Sequence, residues 1–502
     1  MLLSGAVLAS SCSKDYLETS PTSSTSPATI FETTDNAALA INGICKLMTR
    51  QYLGTQGFNG EGTIKLYTGE YPGDNLVVNL PGWSTVINAS YHDNKTSIYN
   101  YYNWYYYYML IGNANSVLEN IDGASGPDAE KQFIKAQALS FRAYSYMMLL
   151  QCYSVRWSDS NNGASDGVVL RVDTSTGELP LSTMAECYAQ IYADLDEAIK
   201  LYTESGLSPD SDDNYSPSIH MAYATYARAA LNRQDYQTAV SMAEKARADH
   251  PLMSNEDYQS GFNSVNDEWI WSCYGAADET LYYYSFFAYV AYDAAAKQVK
   301  SYPKCMSKEV YDKIPVTDIR RDMFLNPEGY KYNTSTGQGK SDLLAYARKL
   351  HPDLAENAKS YIYMNFKFKT LVQPGIGNLN IFRSAEMYLI EAEANYFLGN
   401  EAAARNAMNA LTKDSGRDPE YNCTAMGKAL LDEIKLYRRI ELFGEGFNWF
   451  DLKRWGDPLE RKALGNGGSY ISALAVKYSA SDRNNWTWVI PARETDYNKL
   501  VD

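Results

Sequence analysis

Histidine and cysteine, which often carry metal or nucleophilic chemistry, are sparse in this chain. The four histidines are His92, His220, His250 and His351, and no two stand at the spacing that would place both on one helical face as zinc ligands. The seven cysteines are widely spaced and include no Cys-x-x-Cys pair, which argues against a zinc site and a disulfide framework. Zinc catalysis is therefore not indicated.

Three further patterns suggest chemistry only weakly. Residues 163–167 match Gly-x-Ser-x-Gly, but a nucleophile elbow needs a strand before the serine, and this match lies in a Ser/Asn/Gly/Asp-rich stretch. The acidic loop 210–214 could hold a structural calcium ion, although a solvated turn is the commoner outcome. A glycosidase needs two carboxylates across a cleft, and the sequence singles out no such pair. We expect a protein that is not an enzyme and that has no cofactor beyond such a calcium ion.

Aromatic side chains dominate the chain, which contains 43 tyrosines, 15 phenylalanines and 9 tryptophans. Sugar rings stack on indole and phenol rings, while Asn, Asp, Gln and Arg bind their hydroxyl groups. Two regions outside the periodic helical segments, 70–91 and 274–292, combine these residue types on expected loops. The candidate ligand-binding residues are Tyr71, Asp74, Asn75 and Trp83 in the first region and Tyr274, Tyr283 and Tyr289 in the second.

Alternatives to ligand binding remain open for these aromatic residues. Trp83 lies in no periodic apolar pattern, and a core anchor is the alternative to a ligand platform. The tyrosine tract 101–108 covers every face of an expected helix, so that part of it must face a surface other than the core. For most tyrosines, packing between helices is the expected role.

The charge balance and the first residues bear on partners and location. A formal net charge of −15 argues against nucleic acid and against electrostatic docking on anionic lipid. An apolar stretch over residues 2–9 is followed by Ser10, Ser11 and Cys12, which resembles a lipoprotein signal peptide cut before Cys12. We therefore expect residues 1–11 to be a signal peptide, Cys12 to be lipidated, and the Ser/Thr/Pro-rich residues 12–29 to form a tether.

The elements that must position the candidate residues are mainly helical. Apolar periodicity predicts helices over 30–51, 98–121, 127–151, 184–202, 216–231, 236–249, 384–398 and 401–411. Strict alternation predicts a strand over 361–370, and a second strand is expected over 268–273. Small residues such as Ala239, Ala243 and Ala246 stand at spacings similar to those of a tetratricopeptide repeat.

The stretch Leu436–Trp455 carries a specific resemblance to a known family. It reads as the end of a helix, a break at Gly444 and Gly446, and a short second helix with charged and aromatic residues interleaved. This pattern closely resembles the C-terminal motif of the SusD/RagB family, the nutrient-binding outer-membrane lipoproteins of Bacteroidetes glycan-uptake systems. The matching residues are Arg438, Glu441, Leu442, Glu445, Gly446, Trp449, Phe450, Asp451, Leu452 and Arg454, whereas Tyr437 and Asn448 depart from the pattern.

Three further segments continue the resemblance in the family's order: Ala136–Tyr153, Phe382–Gly399 and Val489–Asn498. The resemblance implies a mainly α fold with a tetratricopeptide-like helical scaffold and a loop-rich, partly β ligand-binding subdomain. We therefore divide the body into a scaffold over 30–250 with ligand-facing loops at 54–95, an insert over 251–379, and a C-terminal segment over 380–502 that returns to the scaffold. The charges of the Leu436–Trp455 motif are expected to be buried ion pairs with a structural role.

The resemblance also implies a function. Members of the family bind nutrients at the cell surface and pass them to a TonB-dependent outer-membrane transporter of the SusC type. We expect a surface-exposed, lipid-anchored outer-membrane protein that binds glycans. The alternatives are the same scaffold binding peptides or another polymer, and an envelope glycosidase.

Overall fold

The computed structural model describes residues 27–54, 57–275, 284–482 and 486–501. Helices of eight residues or more form most of the body, and the expected mainly α fold class is confirmed. In chain order they are α1 Thr34–Leu47, α2 Ile98–Asn120, α3 Asp128–Tyr153, α4 Met184–Ser205, α5 Ile219–Arg233, α6 Tyr236–Ala246, α7 Ser341–Leu350, α8 Ser384–Phe397, α9 Glu401–Asn409, α10 Gly427–Glu441 and α11 Asn448–Trp455.

Shorter helical segments fill the connections between these helices. Single α-turns span Pro27–Ile30, Gly60–Thr63, Ser84–Ile87, Asn255–Gln259, Phe286–Val290, Lys297–Ser301, Lys308–Tyr311 and Ala492–Thr495. Tighter 3₁₀ turns span Pro81–Trp83, Ile121–Gly123, Trp157–Asp159, Ile319–Met323, Leu464–Asn466 and Ser472–Leu474, and wider π-helical segments span Ile64–Glu70 and Ala410–Asp414. Within the described residues, every helix is too short or too polar to cross a lipid bilayer.

The scaffold consists of helices that pack against their neighbours in sequence, α2 on α3, α3 on α4, α5 on α6 and α8 on α9. Helix α8 also packs on α6, so the C-terminal part of the chain returns to the N-terminal part. Local sequence sets the helix ends: Thr183 and Glu186 form a capping box before α4, and Gly206 ends it in the left-handed conformation. Only Gln234 and Asp235 connect α5 to α6, and short connections of this kind favour the repeated helix pairs that the sequence predicts.

Strands are few and short. Strand β1 (Leu76–Val77) pairs antiparallel with β3 (Cys305–Met306), β2 (Trp269–Cys273) with β4 (Leu379–Arg383), and β5 (Leu459–Glu460) with β6 (Lys477–Tyr478). The first pair places the beginning of the 70–91 region beside the insert. The second pair joins the insert to the start of α8.

The prediction of a strand over 361–370 is wrong. Only isolated bridges form there, and Tyr363 adopts a positive φ of 57°, which interrupts an extended chain. Three of the four intervening positions, Tyr363, Asn365 and Lys367, are buried as well, whereas Lys369 is partly exposed. Asn365 Nδ2 donates to Val290 O at 3.0 Å and Lys367 Nζ to Glu441 O at 2.9 Å. The alternation therefore reflects two sets of buried contacts rather than one exposed and one buried face.

Part of the region expected to be loop, 54–95, is helical over Gly60–Glu70. The glycines that suggested a loop are needed here for close contact between main chains. A Cβ added at Gly69 would lie 2.2 Å from Gly446 O, and one at Gly62 would lie 3.1 Å from Phe286 Cβ. Glycine therefore serves tight packing at these two positions, which single-sequence composition does not distinguish from a turn.

A buried charge cluster ties the C-terminal motif to the rest of the body. Arg383 donates to Glu441 Oε1 at 2.7 Å and to Glu445 Oε1 at 2.7 Å, Lys367 donates to Glu445 Oε1 at 2.6 Å, and Arg320 donates to Glu441 Oε2 at 2.9 Å. Burial alone would raise the pKa of Glu445, but Arg383 and Lys367 lower it to about 2. The motif residues that carry the family resemblance thus have a structural role, as expected from their charge pattern.

The same cluster holds the helical segment Ile64–Glu70. Lys65 Nζ donates to Glu445 O at 2.7 Å. Glu70 Oε1 accepts hydrogen bonds from Gly446 N at 2.7 Å and from Phe447 N at 3.1 Å. This segment carries Tyr67, whose ring forms part of the surface described next.

Candidate functional site

The two candidate loop regions meet in one cluster of aromatic rings. Trp83 lies with its ring centroid 6.0 Å from that of Tyr289 and 5.6 Å from that of Tyr67. Tyr67 in turn lies 6.1 Å from Tyr289 and 6.2 Å from Tyr99. We call Tyr67, Trp83, Tyr99 and Tyr289 the aromatic platform.

Exposure divides the platform into two layers. Trp83 and Tyr99 are half-buried and present ring surface to solvent. Tyr67 and Tyr289 are only 3% and 4% exposed and support them from below. Edge and tilted ring contacts of this kind fix the rings in place. A rigid, partly exposed indole and phenol pair on a buried aromatic base is the arrangement on which a sugar ring can stack.

The hydroxyls of the two supporting tyrosines lie together beside Gly57. A Cβ at Gly57, where φ is +86°, would lie 2.5 Å from Tyr67 Oη and 3.1 Å from Tyr289 Oη. Burial raises the pKa of Tyr289 to about 12, and it raises the pKa of Tyr67 well above its ordinary value. Both phenols therefore stay protonated at neutral pH and keep their capacity to donate hydrogen bonds.

A buried lysine lies beneath the platform. Lys304 Nζ is 5.9 Å from the ring centroid of Tyr289 and 5.9 Å from that of Tyr71, and it donates to Tyr302 O at 3.1 Å. Burial lowers the pKa of this amine to about 7. The charge below the platform therefore changes near neutral pH.

Arg461 anchors the loop that carries Trp83. Its guanidinium donates to the carbonyl oxygens of Tyr71, Pro72 and Gly73 on one side of the loop and of Ile87 on the other, at 2.6 to 2.9 Å. A fixed fork of five donors can hold several carbonyls at once. The two ends of the loop are thus held together by one side chain.

A second anchor lies next to the Pro81–Trp83 turn. Asn79 Nδ2 donates to Thr336 O at 3.2 Å and to Ser469 O at 3.1 Å, and Asn79 Oδ1 accepts from Ile471 N at 3.1 Å. Trp83 N donates to Leu80 O at 3.0 Å, which closes the turn. Trp83 therefore sits on a constrained loop, which lowers the entropy lost when a ligand binds.

Three candidates from the first region point inward instead of presenting surface. Tyr71 is 2% exposed and stacks on Tyr67 at 5.7 Å. Asp74 pairs with Arg439 at 2.7 Å, and Asn75 Nδ2 donates to Arg439 O at 2.8 Å. Asp74 and Asn75 thus attach the loop to α10. None of the three residues offers the exposed surface that direct stacking on a sugar requires.

The remaining candidates have different placements. Tyr274 lies at the edge of a separate depression beside Tyr215, with ring centroids 5.6 Å apart. Tyr289 belongs to the platform. Tyr283 and the expected lipidation site Cys12 lie outside the described residues.

Side-chain hydrogen bonds hold the acidic loop 210–214 to the residues that follow it and to strand β2. Asp213 Oδ1 accepts from Tyr215 N and Ser216 N, both at 2.9 Å, and Asn214 Nδ2 donates to Trp269 O at 2.8 Å. In the part of the chain that the structure describes, no three His, Cys, Asp or Glu side chains are grouped so that they could hold a metal ion.

Sequence reasoning missed three residues of this site. Tyr67 lies in the region 54–95 that was expected to be loop, but before the stretch 70–91 that was singled out for its aromatic residues. Tyr99 lies in an expected helix and was counted with the packing tyrosines. Arg461 follows α11 at no recognisable motif position. Only the excess of tyrosine pointed towards the first two, and no local signal pointed towards Arg461.

Comparison with known proteins gives the family. A family model described as the SusD family matches residues 231–500, and another, described as starch-binding associating with outer membrane, matches residues 15–231. Two SusD-like proteins of Formosa agariphila are each 25% identical to this chain. One alignment covers 93% of this chain and 92% of the relative, and the other covers 87% of each.

Solved structures agree with this result. A SusD-like carbohydrate binding protein from Bacteroides vulgatus superposes with a TM-score of 0.75 at 23% identity, over 94% of this chain and 98% of that one. A SusD superfamily protein from Bacteroides thetaiotaomicron gives a TM-score of 0.74 at 22% identity, over 94% and 99%. These likenesses show the same fold. Since the first family model also covers more than half of the residues, this chain belongs to the SusD family.

Proposed function

We propose that this protein binds glycans at the outer membrane and delivers them to a SusC-like TonB-dependent transporter. Family membership supports the binding part, because one matching family model is described as starch-binding and one solved relative as carbohydrate binding. The same family description supports an outer-membrane context. Lipidation at Cys12 would supply the anchor without a membrane-spanning helix.

The aromatic platform is the observation that carries the proposal. Trp83 and Tyr99 are both partly exposed and each contacts the ring of Tyr67, and Arg461 and Asn79 fix the loop that carries Trp83. Stacking on such rings depends on ligand shape and apolar C–H faces, and it needs no charge on the ligand. The formal net charge of −15 would not repel a neutral polymer.

Affinity gel electrophoresis tests the binding. The soluble body, starting after Thr29, is run through gels that contain starch, xylan, β-glucan, mannan, pectin or host mucin glycans. We expect retardation by one glycan class. No retardation by any of them, together with retention on immobilised peptides, would overturn the glycan proposal in favour of the peptide alternative.

The remaining parts of the proposal need separate measurements. Incubation of the retarding polysaccharide with purified protein should release no reducing ends, whereas steady release would show a glycosidase. The full chain should co-purify with the co-encoded transporter from detergent-solubilised membranes. A Cys12→Ala variant should lose membrane attachment but keep glycan binding in the soluble fraction.

A further inference from the structure

A groove lies on the face of helix α2 opposite the platform, and its lining residues are those of a ligand-binding site. Its floor is one face of α2 and its opposite wall is the loop 171–176, with residues 493 and 494 at one end. About 960 Å³ lies between these walls, including space open to solvent. Tyr99 of the platform and Tyr101 of the groove differ by two positions on α2, so they point about 200° apart around the helix axis.

Tyrosine rings form a row along the floor. Tyr101, Tyr105 and Tyr108 recur at four and three residues, which places them on one face of α2, and all three are half-buried. The centroid of Tyr105 is 5.7 Å from that of Tyr101. The tyrosine tract therefore does more than pack the scaffold: part of it faces open space.

A glycine continues this row. Gly112 lies on the same face of α2, and a Cβ added there would meet no atom within 4 Å. Glycine within a helix lowers the stability of the folded protein relative to alanine. No contact in the protein requires this glycine, whereas its missing side chain leaves the groove floor clear beside the tyrosine row.

The opposite wall is held in a fixed shape. Asn115 Nδ2 donates to Arg171 O at 2.9 Å and to Asp173 O at 2.8 Å, so the loop is bonded directly to α2. Thr174 donates through N and Oγ1 to the Glu119 carboxylate at 2.7 and 2.6 Å. The loop 172–176 is exposed, and Asp173, Thr174, Ser175 and Thr176 line a preformed gap opposite the tyrosine row.

The charges of the groove select the kind of ligand. Arg171 and Arg493 are offset by Asp173 and Glu494, so the lining has no net charge that would recruit an anionic or cationic polymer. Arg493 lies over the Tyr101 ring at 4.6 Å and remains exposed. Aromatic rings opposite a hydroxyl-bearing loop, with the exposed Arg493 guanidinium at one end, fit an uncharged ligand that has both C–H faces and hydroxyl groups.

We propose that this groove, lined by Tyr101, Tyr105, Tyr108, Gly112 and the loop 171–176, is a second saccharide-binding site that takes an uncharged oligosaccharide. It is separate from the aromatic platform, because the two surfaces lie on opposite faces of α2. A chain with both sites would hold two stretches of one polysaccharide, or two short oligosaccharides, at the same time.

Variants that fill the groove or remove one of its rings test this proposal. Gly112→Leu fills the open space beside the tyrosine row, and we expect it to leave the thermal midpoint equal or higher because leucine favours a helix. Tyr105→Ala removes one ring of the row, and Tyr105→Phe restores the ring without the hydroxyl. Tyr497→Ala serves as a matched control, since Tyr497 is 83% exposed and lies outside both surfaces.

Isothermal titration with maltohexaose, cellohexaose, xylohexaose and mannohexaose gives affinity and stoichiometry. For the hexasaccharide that binds, we expect two sites in the wild type, one in Trp83→Ala, one in Gly112→Leu, and none in the double variant. In the Trp83→Ala background, Tyr105→Ala should raise Kd about tenfold, equivalent to about 1.4 kcal/mol. Bound ligand should also protect Tyr101 and Tyr105 from nitration in the Trp83→Ala protein.

The outcomes separate this inference from the proposed function. A single site that Trp83→Ala abolishes and Gly112→Leu leaves unchanged would overturn the second site and keep glycan binding. Binding lost in Gly112→Leu and retained in Trp83→Ala would support the groove and contradict the platform. If none of the hexasaccharides binds and Gly112→Leu instead weakens binding to a peptide digest or to the transporter, the saccharide assignment of the groove is overturned.

Discussion

Trp83 and Tyr289, which lie far apart in the sequence, meet with ring centroids 6.0 Å apart and ring planes inclined by 51°. Each was a candidate in a separate loop region, and their contact joins the two regions into one surface. Tyr67 touches both rings from the side of the core. The platform therefore depends on the attachment of both regions to the scaffold.

Arg461 should control the order of the Trp83 loop. We expect Arg461→Met to free the carbonyls of Tyr71, Pro72, Gly73 and Ile87 and to lower the free energy of unfolding by about 1–3 kcal/mol, since buried acceptors are left unsatisfied. Hydrogen exchange over residues 80–91 should become faster. Arg405→Met, which removes a partly exposed pair with Glu401, is the control; equal exchange in both variants would contradict this role.

The buried charge cluster should be a major stability element. Glu445→Gln leaves Arg383 and Lys367 without their shared carboxylate, and we expect a loss of about 3–5 kcal/mol of unfolding free energy. Asp432→Asn, which breaks an exposed pair with Lys428, should cost no more than about 0.5 kcal/mol. Urea unfolding at pH 7 measures both variants. A Glu445→Gln loss below about 1 kcal/mol would contradict a structural role for the cluster.

Lys304 should make stability depend on pH above neutrality. Its folded pKa is about 7, below its ordinary value of 10.5, so the unfolded chain binds more protons between these values and stability should rise with pH. Lys304→Met removes this contribution. We expect the free energy of unfolding of Lys304→Met at pH 7 to exceed that of the wild type by on the order of 1 kcal/mol or more. The difference should become smaller towards pH 10.

The control for this measurement is Lys477→Met, because Lys477 is largely exposed and pairs only weakly with Glu460. Lys65 and Lys453 also have pKa values lowered by burial, so the informative quantity is the difference between variant and wild type at each pH. A difference for Lys304→Met that does not change between pH 7 and 10 would show that its amine is not the titrating group.

Replacing glycine by alanine should have opposite effects on the free energy of unfolding at two helical positions. Gly69→Ala places a Cβ 2.2 Å from Gly446 O, so we expect a loss of at least about 2 kcal/mol as the two backbones separate. Gly43→Ala in α1 meets no atom within 4 Å and should gain about 0.5–1 kcal/mol. Thermal unfolding of the two variants and the wild type measures both effects. If Gly69→Ala leaves the stability unchanged, the contact with Gly446 can relax.

The sequence predicted the long helices well because their apolar periodicity and caps are local signals. The helix expected over 236–249 forms over Tyr236–Ala246, and that expected over 384–398 forms over Ser384–Phe397. The prediction of a strand over 361–370 failed because Asn365 and Lys367 form buried hydrogen bonds with partners that are remote in sequence. Periodicity describes which residues are apolar, but not which polar residues will be satisfied inside the protein.

The site was predictable only in outline. Trp83 and Tyr289 were both candidates, since each lies in an aromatic loop region. Tyr71, Asp74 and Asn75 have the residue types of a sugar site. Tyr71 nevertheless turns inward to stack on Tyr67, four residues earlier, and contacts with the distant Arg439 turn Asp74 and Asn75 inward. Arg461 acts through carbonyl groups, which every residue possesses, so no pattern of side-chain types could have identified its partners.

The most direct test of the platform compares Trp83→Ala with Trp157→Ala in calorimetric titrations with the glycan that retards the wild-type protein. Both tryptophans are half-buried, but Trp157 packs on Tyr188, away from the platform. We expect Trp83→Ala to raise Kd at the platform at least about tenfold, with Trp157→Ala unchanged. Equal affinity of both variants and the wild type, with folding intact, would contradict the assignment of the platform as the glycan site.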